Sequence, residues 1–353
     1  MSEPSASPAP PRVSVVIAAY NAAATLGETL RSVRAQACAD VEVVVVDDGS
    51  TDATRAMLEA EGARVRAFHQ ENAGIGAARN RGMREARGAF IALIDADDVC
   101  EPGRLRIQLD YLLAHPDLLL CSTDFSSFDD SGMIEASSIG SYYSRCGASH
   151  GGVRARYDHH AGFALPVAAC GRAAGSEVAS HSGRVFEQLL LGNFIHPPTV
   201  MFRREALELA GNFDPSIRIA CEWEWLVRVA HAGPVGYIDL PLLRYRRSAS
   251  QISSSPEMNL DSLRVARALQ RRYARLRVLD PRVIRRQLGQ LELQAAYAMA
   301  PARRVVAFAL LASSLLRRGV IGPLTLPTCA RVLLPSAVLR GLRAARRRLR
   351  PAS

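Results

Sequence analysis

Three aspartates lie within four positions of one another, directly after a short apolar run. Asp95, Asp97 and Asp98 follow Ile91–Ile94. Like charges this close repel one another, so a site that keeps them ionised usually supplies a cation. Carboxylate oxygens suit the hard ions Mg²⁺ and Mn²⁺, and bound Mg²⁺ often shares its coordination shell with substrate phosphates. The cluster predicts a divalent-cation site, and a solvated turn that caps the next helix is the structural alternative.

Two further polar groups follow apolar runs earlier in the chain. Tyr20 and Asn21 come just after Ala18, where the first run ends, and Asp47 and Asp48 follow four consecutive valines. One of the two adjacent aspartates could accept hydrogen bonds from a nucleobase or a ribose. Asp, Gly and Ser also form tight turns and helix caps, so a purely structural turn is the alternative here.

The elements that position these residues alternate between strand and helix. Predicted strands are Val13–Ala18, Glu42–Val46, Arg64–Phe68, Phe90–Ile94 and Leu118–Ser122, and predicted helices are Ala24–Ala35, Thr51–Ala60, Gly76–Ala86 and Pro102–Ala114. This alternation predicts an α/β fold with a mostly parallel sheet covered by helices on both faces. In such sheets the ligand crevice lies outside the carboxyl ends of the strands, so the three polar groups are expected to meet there.

The rest of the chain changes character twice. Little periodicity is found from residue 126 to residue 185, which predicts a long loop or an insertion with weak local structure. Helical patterns return after Phe186. We therefore divide the chain into a disordered leader (1–11), a first half (12–125), the insertion (126–185), a second half (186–256) and a helical, Arg-rich region (257–353).

Composition excludes several classes of protein. The 353 residues fit about two domains, and 48% hydrophobic with 22% charged residues is typical of a packed globular chain. Seven cysteines without a C-x-x-C pair favour a reducing compartment, and we predict a cytoplasmic protein. The longest uncharged apolar stretch, Val305–Leu316, is shorter than the roughly 18 residues that a membrane span needs.

Four sequence blocks resemble consecutive motifs of the family-2 glycosyltransferases of the GT-A fold. They read VSVVIAAYNAAATLGETLRSV, VEVVVVDDGSTDAT, NAGIGAARNRG and GAFIALIDADDVCEPGRL. The resemblance implies a nucleotide-sugar donor site in which Tyr20 stacks near the nucleobase, Asp48 binds its polar edge and Arg79 lies near the nucleotide. It makes Asp95 and Asp97 the D-x-D pair. Ala18, Asn21, Asp47 and Arg246 complete the predicted donor-binding set.

The same resemblance implies a metal cofactor, Mg²⁺ or Mn²⁺, that bridges the donor diphosphate. Asp97 and Asp98 are its predicted ligands.

The resemblance resumes in HPPTVMFRREALELAGNFDPSIRIACEWEWLVRVA, which is similar to the family's acceptor half. Glu222 stands where the family has its catalytic Asp, and Glu224 is the second catalytic candidate. About 200° of helix rotation separates the two, so only one is expected to reach the substrate, and we favour Glu222. The structural alternative is an amphipathic helix that buries its tryptophans and leaves both glutamates in solvent.

Two basic or metal-binding candidates remain. Relatives often carry a His where this chain has Ser248, and Arg246 or Arg247 could compensate by binding diphosphate. A solvent-exposed basic strand end is the alternative. Four histidines lie near Cys146 and Cys170, namely His150, His159, His160 and His181. Their spacing matches no standard zinc site, and a flexible polar loop is the favoured interpretation.

The predicted function is transfer of a sugar, with inversion, from a nucleoside diphosphate-sugar (a UDP-sugar by resemblance) to a hydroxyl of a saccharide or lipid-linked saccharide, in synthesis of a surface polysaccharide or glycolipid. Two alternatives stay open. One is a nucleotidyltransferase that makes nucleotide sugars, although this chain has no Lys for its phosphate loop. The other is a non-catalytic nucleotide-sugar-binding scaffold.

Charge is unevenly distributed along the chain. Residues 257–353 hold 20 arginines and four acidic residues, within a formal net charge of +10. Together with the Arg343–Arg350 cluster, this predicts a peripheral interface with an anionic membrane surface. A helical appendage that packs on the catalytic domain or on a second subunit is the alternative. Nucleic acid is not expected as a partner, because no aromatic interleaving accompanies the arginines.

Overall fold

The computed structural model describes residues 12–36, 38, 40–248 and 255–334. The chain divides into two compact units, Met1–Ser248 and Ala249–Ser353. The predicted leader (1–11) and the Arg343–Arg350 cluster lie outside the described residues, so both stay predictions.

The first unit is built on one mixed β-sheet. Its strands are β1 (Val13–Ala19), β2 (Val41–Asp47), β3 (Arg66–His69), β4 (Phe90–Asp95), β5 (Val99–Cys100), β6 (Leu120–Asp129), β7 (Gly132–Glu135), β8 (His159–Ala164), β9 (Glu177–Gly183), β10 (Met201–Arg203) and β11 (Val235–Arg246). Its helices are α1 (Leu26–Arg34), α2 (Thr54–Glu61), α3 (Ile75–Glu85), α4 (Arg104–Ala114), α5 (Ile139–Tyr142), α6 (Phe186–Leu190), α7 (Glu205–Ala210) and α8 (Cys221–Ala232).

The strand order is β3-β2-β1-β4-β10-β6-β11-β9-β8, with β5 beside β11 and β7 beside β6. Strands β1 to β4 run parallel to one another. Strand β10 is antiparallel to both β4 and β6, and β11 is parallel to β6. The main strands therefore share one direction, which confirms the predicted α/β, Rossmann-like fold and places the carboxyl ends of β1, β2 and β4 at one edge.

Apolar β-branched runs form the centre of this sheet because they are buried on both faces. Val16 and Ile17 of β1 and Val44–Val46 of β2 have no exposed surface. Helix α3 packs closely on these strands. A Cβ at Gly82 would lie 2.5 Å from Val16 Cγ1, so only glycine permits this approach.

The segment predicted as a loop or a weakly structured insertion contains regular structure. Strands β8 and β9 form an antiparallel pair, and β9 pairs with β11. Strand β8 is mostly exposed and rich in His, Ala and Gly, so it lacks the alternation that marks a strand in sequence. Its order comes from pairing with residues distant in the chain.

The second unit is helical, as predicted. It contains α9 (Pro256–Arg272), α10 (Pro281–Met299), α11 (Arg304–Ala312), a π-helical turn (Ser313–Arg317) and α12 (Thr325–Leu333). Helix α10 contacts the other three helices. Its buried Glu292 forms ion pairs with Arg267 at 2.7 Å and Arg318 at 2.9 Å. Within the described ranges, no helix has the length and hydropathy needed to cross a bilayer.

Candidate active site

The carboxyl ends of three parallel strands form one side of the site. Ala18 of β1 lies in register between Val46 of β2 and Asp95 of β4. The backbone N–H of Asp98 donates to the Asp95 carbonyl at 3.2 Å, which closes a tight turn after β4. Thr29 Oγ1 holds this turn from α1, at 2.8 Å from the Asp98 carbonyl. The acidic turn is thus a fixed element at the sheet edge.

Asp98 is the most buried acid of this turn. Its side chain has no exposed surface, and its Oδ1 accepts from the Arg246 backbone N–H at 3.0 Å. Its Oδ2 is buried and lacks a hydrogen-bond partner. Burial, followed by the charges of Asp97 and Asp95, raises the pKa of Asp98 well above its usual range. An uncompensated carboxylate oxygen beside two other carboxylates is the arrangement that a cation would relieve.

Arg246, the last residue of β11, lies against the same turn. Its Nε donates to the Asp97 carbonyl at 3.0 Å, and its guanidinium stacks 4.5 Å from the Phe128 ring centroid and pairs with Glu28. The structure therefore brings Arg246 to the acidic turn, where its backbone N–H and its guanidinium also stabilise the turn itself.

The aspartates after β2 organise the loop that leads into α3. Asp47 accepts from the Ser50 backbone N–H and lies near His69 Nδ1, both at 3.0 Å. Burial raises its pKa, but these hydrogen bonds outweigh burial and lower the pKa of Asp47 overall. Asp48 accepts from the backbone N–H groups of Ala73 at 3.0 Å and Gly74 at 2.8 Å. The Asp48 carboxylate therefore fixes the backbone that starts α3, whereas the Asp47 carboxylate fixes the turn after β2 and contacts the end of β3.

The loop after β1 is joined to the loop after β2. Asn21 has a φ of 50° and accepts from the Thr51 backbone N–H at 2.8 Å, while its own N–H donates to Ser50 Oγ at 2.9 Å. Tyr20 precedes it and is 52% exposed. An exposed aromatic ring on a fixed loop is available to stack against a planar ligand.

One arginine connects the sheet edge to helix α8. Arg79 of α3 is 1% exposed, donates Nη2 to Asp95 Oδ1 at 2.6 Å, and donates Nη1 to Glu222 Oε1. Its guanidinium also lies 5.9 Å from the Phe213 ring centroid. Residues that are far apart in sequence thus meet around one buried cation.

Glu222 lies in the first turn of α8, after Ala220 in the left-handed conformation. Burial raises the pKa of its carboxyl, but the charge and hydrogen bond of Arg79 outweigh burial and lower the pKa of Glu222 overall. The carboxylate is therefore ionised at neutral pH and can accept a proton.

Glu224 points to a different environment. It is 5% exposed, and Arg228 Nε and Nη2 donate to its two oxygens at 2.8–3.1 Å. Arg228 also donates to the Asn212 carbonyl at 2.7 Å. Trp223 and Trp225 are buried, as is Glu224, and the Glu222 side chain is only 17% exposed and pairs with Arg79. The alternative that leaves both glutamates in solvent is therefore wrong. The structure gives Glu224 a role in packing α8.

Sequence reasoning missed a buried histidine in an aromatic cluster. The ring of His196 stacks 4.0 Å from that of Phe125, and its Nδ1 lies 3.2 Å from the Tyr143 hydroxyl. Burial, with the charges of Arg79 and Arg104, lowers the pKa of His196 to about 3. The His-Pro-Pro run was the available signal, since proline fixes the backbone on which this ring sits.

The histidines considered for zinc are arranged differently. His160 and His181 face each other across β8 and β9, with their Nδ1 atoms 3.3 Å apart. In the part of the chain that the structure describes, no group of three or more His, Cys, Asp or Glu side chains is placed to hold a metal by itself.

Comparison with solved structures supports the fold. Staphylococcus aureus TarS, residues 1–349 in complex with UDP-GlcNAc, has a TM-score of 0.51 and 16% identity, over 87% of this chain and 92% of that one. The mannosyltransferase PcManGT from Pyrobaculum calidifontis, in complex with GDP-Man and Mn²⁺, has a TM-score of 0.50 and 19% identity, over 95% and 80% of the two chains. At this identity the likeness concerns the fold.

Curated relatives match over shorter segments. The putative glycosyltransferase EpsH of Bacillus subtilis is 38% identical over 136 residues, which is 38% of this chain and 39% of EpsH. The succinoglycan biosynthesis protein ExoO of Rhizobium meliloti is 47% identical over 102 residues, 28% and 29% of the two chains. The matched segments therefore span less than half of either relative.

The sequence profile described as Glycosyl transferase family 2 matches residues 14–209. That match covers more than half of the chain and includes the acidic turn, Arg79 and the His-Pro-Pro run. With its GT-A fold, the chain belongs to glycosyltransferase family 2.

Proposed function

We propose that this chain is an inverting glycosyltransferase that moves a sugar from a nucleoside diphosphate-sugar to an acceptor hydroxyl. The observation that carries the proposal is the Arg79 bridge between Asp95 and Glu222. One guanidinium thus contacts both the sheet edge, where a donor would bind, and a carboxylate that can act as a base.

The donor is proposed to lie along the ends of β1, β2 and β4. Tyr20 offers an exposed ring for stacking on the nucleobase. Asp48 would contact the polar edge of that base, and Asp95, at the end of β4, would contact the ribose. Ala18, Asn21, Asp47 and Arg246 shape this edge. A UDP-sugar is the proposed donor, in line with TarS, which was solved with UDP-GlcNAc, whereas PcManGT was solved with GDP-Man.

Asp97 and Asp98 fit a divalent cation, Mg²⁺ or Mn²⁺. The fit rests on hard oxygen donors and on Asp98 Oδ2, which is buried without a hydrogen-bond partner. Two carboxylates suffice because Mg²⁺ commonly completes its shell with substrate phosphates and water. When bound, such an ion supplies neutralisation of the charge that develops on the departing diphosphate.

Glu222 is the proposed general base. Its Oε1 or Oε2 would take the proton from the acceptor hydroxyl as that oxygen attacks the anomeric carbon. A base on the face opposite the leaving group gives in-line displacement, hence inversion. Arg79 keeps Glu222 ionised and oriented, while Glu224, held by Arg228, is assigned no proton transfer.

The acceptor is proposed to be a saccharide or a lipid-linked saccharide of a surface polysaccharide or glycolipid. The names of two relatives, succinoglycan biosynthesis protein ExoO and the chondroitin synthase of Escherichia coli, support a polysaccharide. A cytoplasmic site of action fits the seven cysteines, all of which are free thiols.

The test is donor turnover. Purified protein is incubated with a panel of nucleotide sugars and Mn²⁺, and release of the nucleoside diphosphate is measured with and without oligosaccharide acceptors. We expect slow release from one donor, faster release with the right acceptor, and loss of both in Asp97→Ala. The configuration of the product by NMR tests inversion. Binding without turnover would favour the scaffold, and pyrophosphate release from a nucleoside triphosphate and a sugar phosphate would favour the nucleotidyltransferase.

A further inference from the structure

Exposed apolar side chains concentrate in the last part of the second unit. Four large apolar residues are more than 80% exposed, namely Val305, Leu316, Ile321 and Leu326, and Phe308 and Leu333 are more than half exposed. Among the described residues, no other large apolar side chain exceeds 60% exposure. Soluble surfaces rarely expose apolar groups so close together in the chain, and such patches usually mark an interaction site.

Helices α11 and α12 carry four of these residues on the side away from the core, and Leu316 and Ile321 lie in the segment that joins the two helices. Leu310 and Leu311 of α11 and Val332 of α12 are buried, and both helices contact α10 and each other. Arg304 Nη2 at the start of α11 donates to the Leu334 carbonyl, just after α12, at 2.7 Å. The two helices therefore run antiparallel as a hairpin.

The hairpin brings the exposed residues together at two places. Val305 and Leu333 lie at the end that the Arg304–Leu334 hydrogen bond closes. Leu316, Ile321 and Leu326 lie at the other end, around the turn that joins the helices. We call this set, with Phe308, the hairpin face.

The segment that carries the hairpin face has charged residues of one sign only. No Asp or Glu follows Glu292 in the sequence, whereas 11 arginines do. Glu292 itself is buried and paired with two arginines. Arg303, just before α11, and Arg317, at the end of the π-helical turn that follows α11, are exposed. Six of the 11 arginines follow Leu334 in the sequence.

Exposed apolar side chains flanked by arginines indicate what kind of partner the hairpin face binds. A second copy docked face to face would bring arginine against arginine with no acidic residue of this segment to compensate. An anionic lipid surface instead accepts apolar side chains at the headgroup boundary and attracts each nearby arginine by about 1 kcal/mol.

We propose that the hairpin face docks on the anionic surface of a lipid bilayer. The apolar side chains enter the boundary between headgroups and acyl chains, and the flanking arginines pair with lipid phosphates. The segment lies on the membrane without crossing it, in keeping with the lengths of the described helices. The inference does not rest on the proposed transfer reaction.

Flotation of the full chain with vesicles tests the proposal. We expect co-flotation with phosphatidylcholine vesicles that contain phosphatidylglycerol, weakening at high salt, and little with phosphatidylcholine alone. The variant Val305→Ser/Leu316→Ser/Leu326→Ser changes only highly exposed side chains, so the fold is kept, and it should lower the partition coefficient at least tenfold. The matched control, Met133→Ser/Leu209→Ser/Leu276→Ser, alters exposed apolar residues elsewhere and should bind like the unaltered chain.

Three results would overturn the docking claim. The first is flotation of the Val305/Leu316/Leu326 variant at the level of the unaltered chain. The second is binding of the unaltered chain to neutral vesicles as strong as to anionic ones. The third is a loss of binding in the control variant as large as in the first variant. A dimer by light scattering that the first variant converts to a monomer would make the face an interface between copies instead. Far-UV circular dichroism of each variant establishes that the helices are intact.

Discussion

Glu222 is a partly buried carboxylate whose charge is held by a single arginine. The Gln variant keeps the shape and the hydrogen bond to Arg79 but cannot take a proton. We expect Glu222→Gln to lower the transfer rate by about 10²–10⁴-fold, since that is the usual contribution of a general base, with donor affinity nearly unchanged. Initial rates and calorimetry measure the two quantities. Glu208→Gln, an exposed glutamate on α7, is the matched control, and near-normal turnover of the Glu222 variant would remove it from the base role.

Arg79 sets the pH range in which that base works. Burial alone would raise the pKa of Glu222, and Arg79 reverses this, so the acid limb of kcat/KM should lie below the usual glutamate range. The base acts when deprotonated, so activity falls as pH falls through this pKa. Replacing Arg79 by Gln should move the acid limb to higher pH, while Arg84→Gln, on the exposed side of α3, should leave it in place. An unmoved limb in the Arg79 variant would contradict this coupling.

His196 makes stability depend on pH in the opposite sense to a surface histidine with a carboxylate partner. Its pKa is lowered to about 3 in the folded chain, whereas an unfolded chain binds the proton near pH 6.5. Stability is therefore complete above about pH 6.5 and falls as pH decreases, by up to about 1.4 kcal/mol per pH unit. The free energy of unfolding, measured by urea denaturation between pH 7 and pH 5, should change less steeply with pH in His196→Phe than in the unaltered chain. Equal slopes would refute the assignment.

At the scale of elements, the central strands follow directly from sequence. Four valines in a row at the end of β2 and the apolar run of β4 can only be buried on both faces, and turn-forming acids must then come at their ends. Strand β8 was not foreseeable, because it is defined by partners and not by its own side chains.

The candidate site was predictable from sequence only in part. The edge at Asp47 and Asp95 follows from the parallel sheet. The Arg79 bridge to Glu222 does not, since it depends on how α3 and α8 pack and on the path of a long side chain. Likewise, the environment of His196 depends on rings contributed by distant segments.

The close approach of α3 to the sheet gives a test at this scale. Gly82→Ala would place a methyl group 2.5 Å from Val16 Cγ1, and Val16 is a buried, β-branched residue that cannot swing away. We expect a loss of about 1–3 kcal/mol in the free energy of unfolding, typical of overpacking. Gly27→Ala in α1 meets only ordinary contacts at 3.5 Å and should be neutral or stabilising. Equal effects of the two substitutions, measured by urea denaturation, would contradict the packing argument.

For the whole molecule, the two units can be followed separately. Both tryptophans of the chain lie in α8, so tryptophan fluorescence reports the first unit, while circular dichroism at 222 nm reports the helices of both. Donor with Mn²⁺ at about 100 times its Kd should stabilise the first unit by about 2.7 kcal/mol. We expect the fluorescence transition to move to higher temperature, with a circular dichroism component that stays in place. Movement of both components by the same amount would show that the units unfold together.

The sharing of one guanidinium by two carboxylates also constrains how this chain can change. A substitution at Asp95 that adapts the pocket to another nucleotide leaves Arg79 with a single partner, and that partner is Glu222. Laboratory evolution toward a new substrate therefore alters reactivity along with selectivity, and successful lineages should carry paired changes around Arg79 rather than isolated ones.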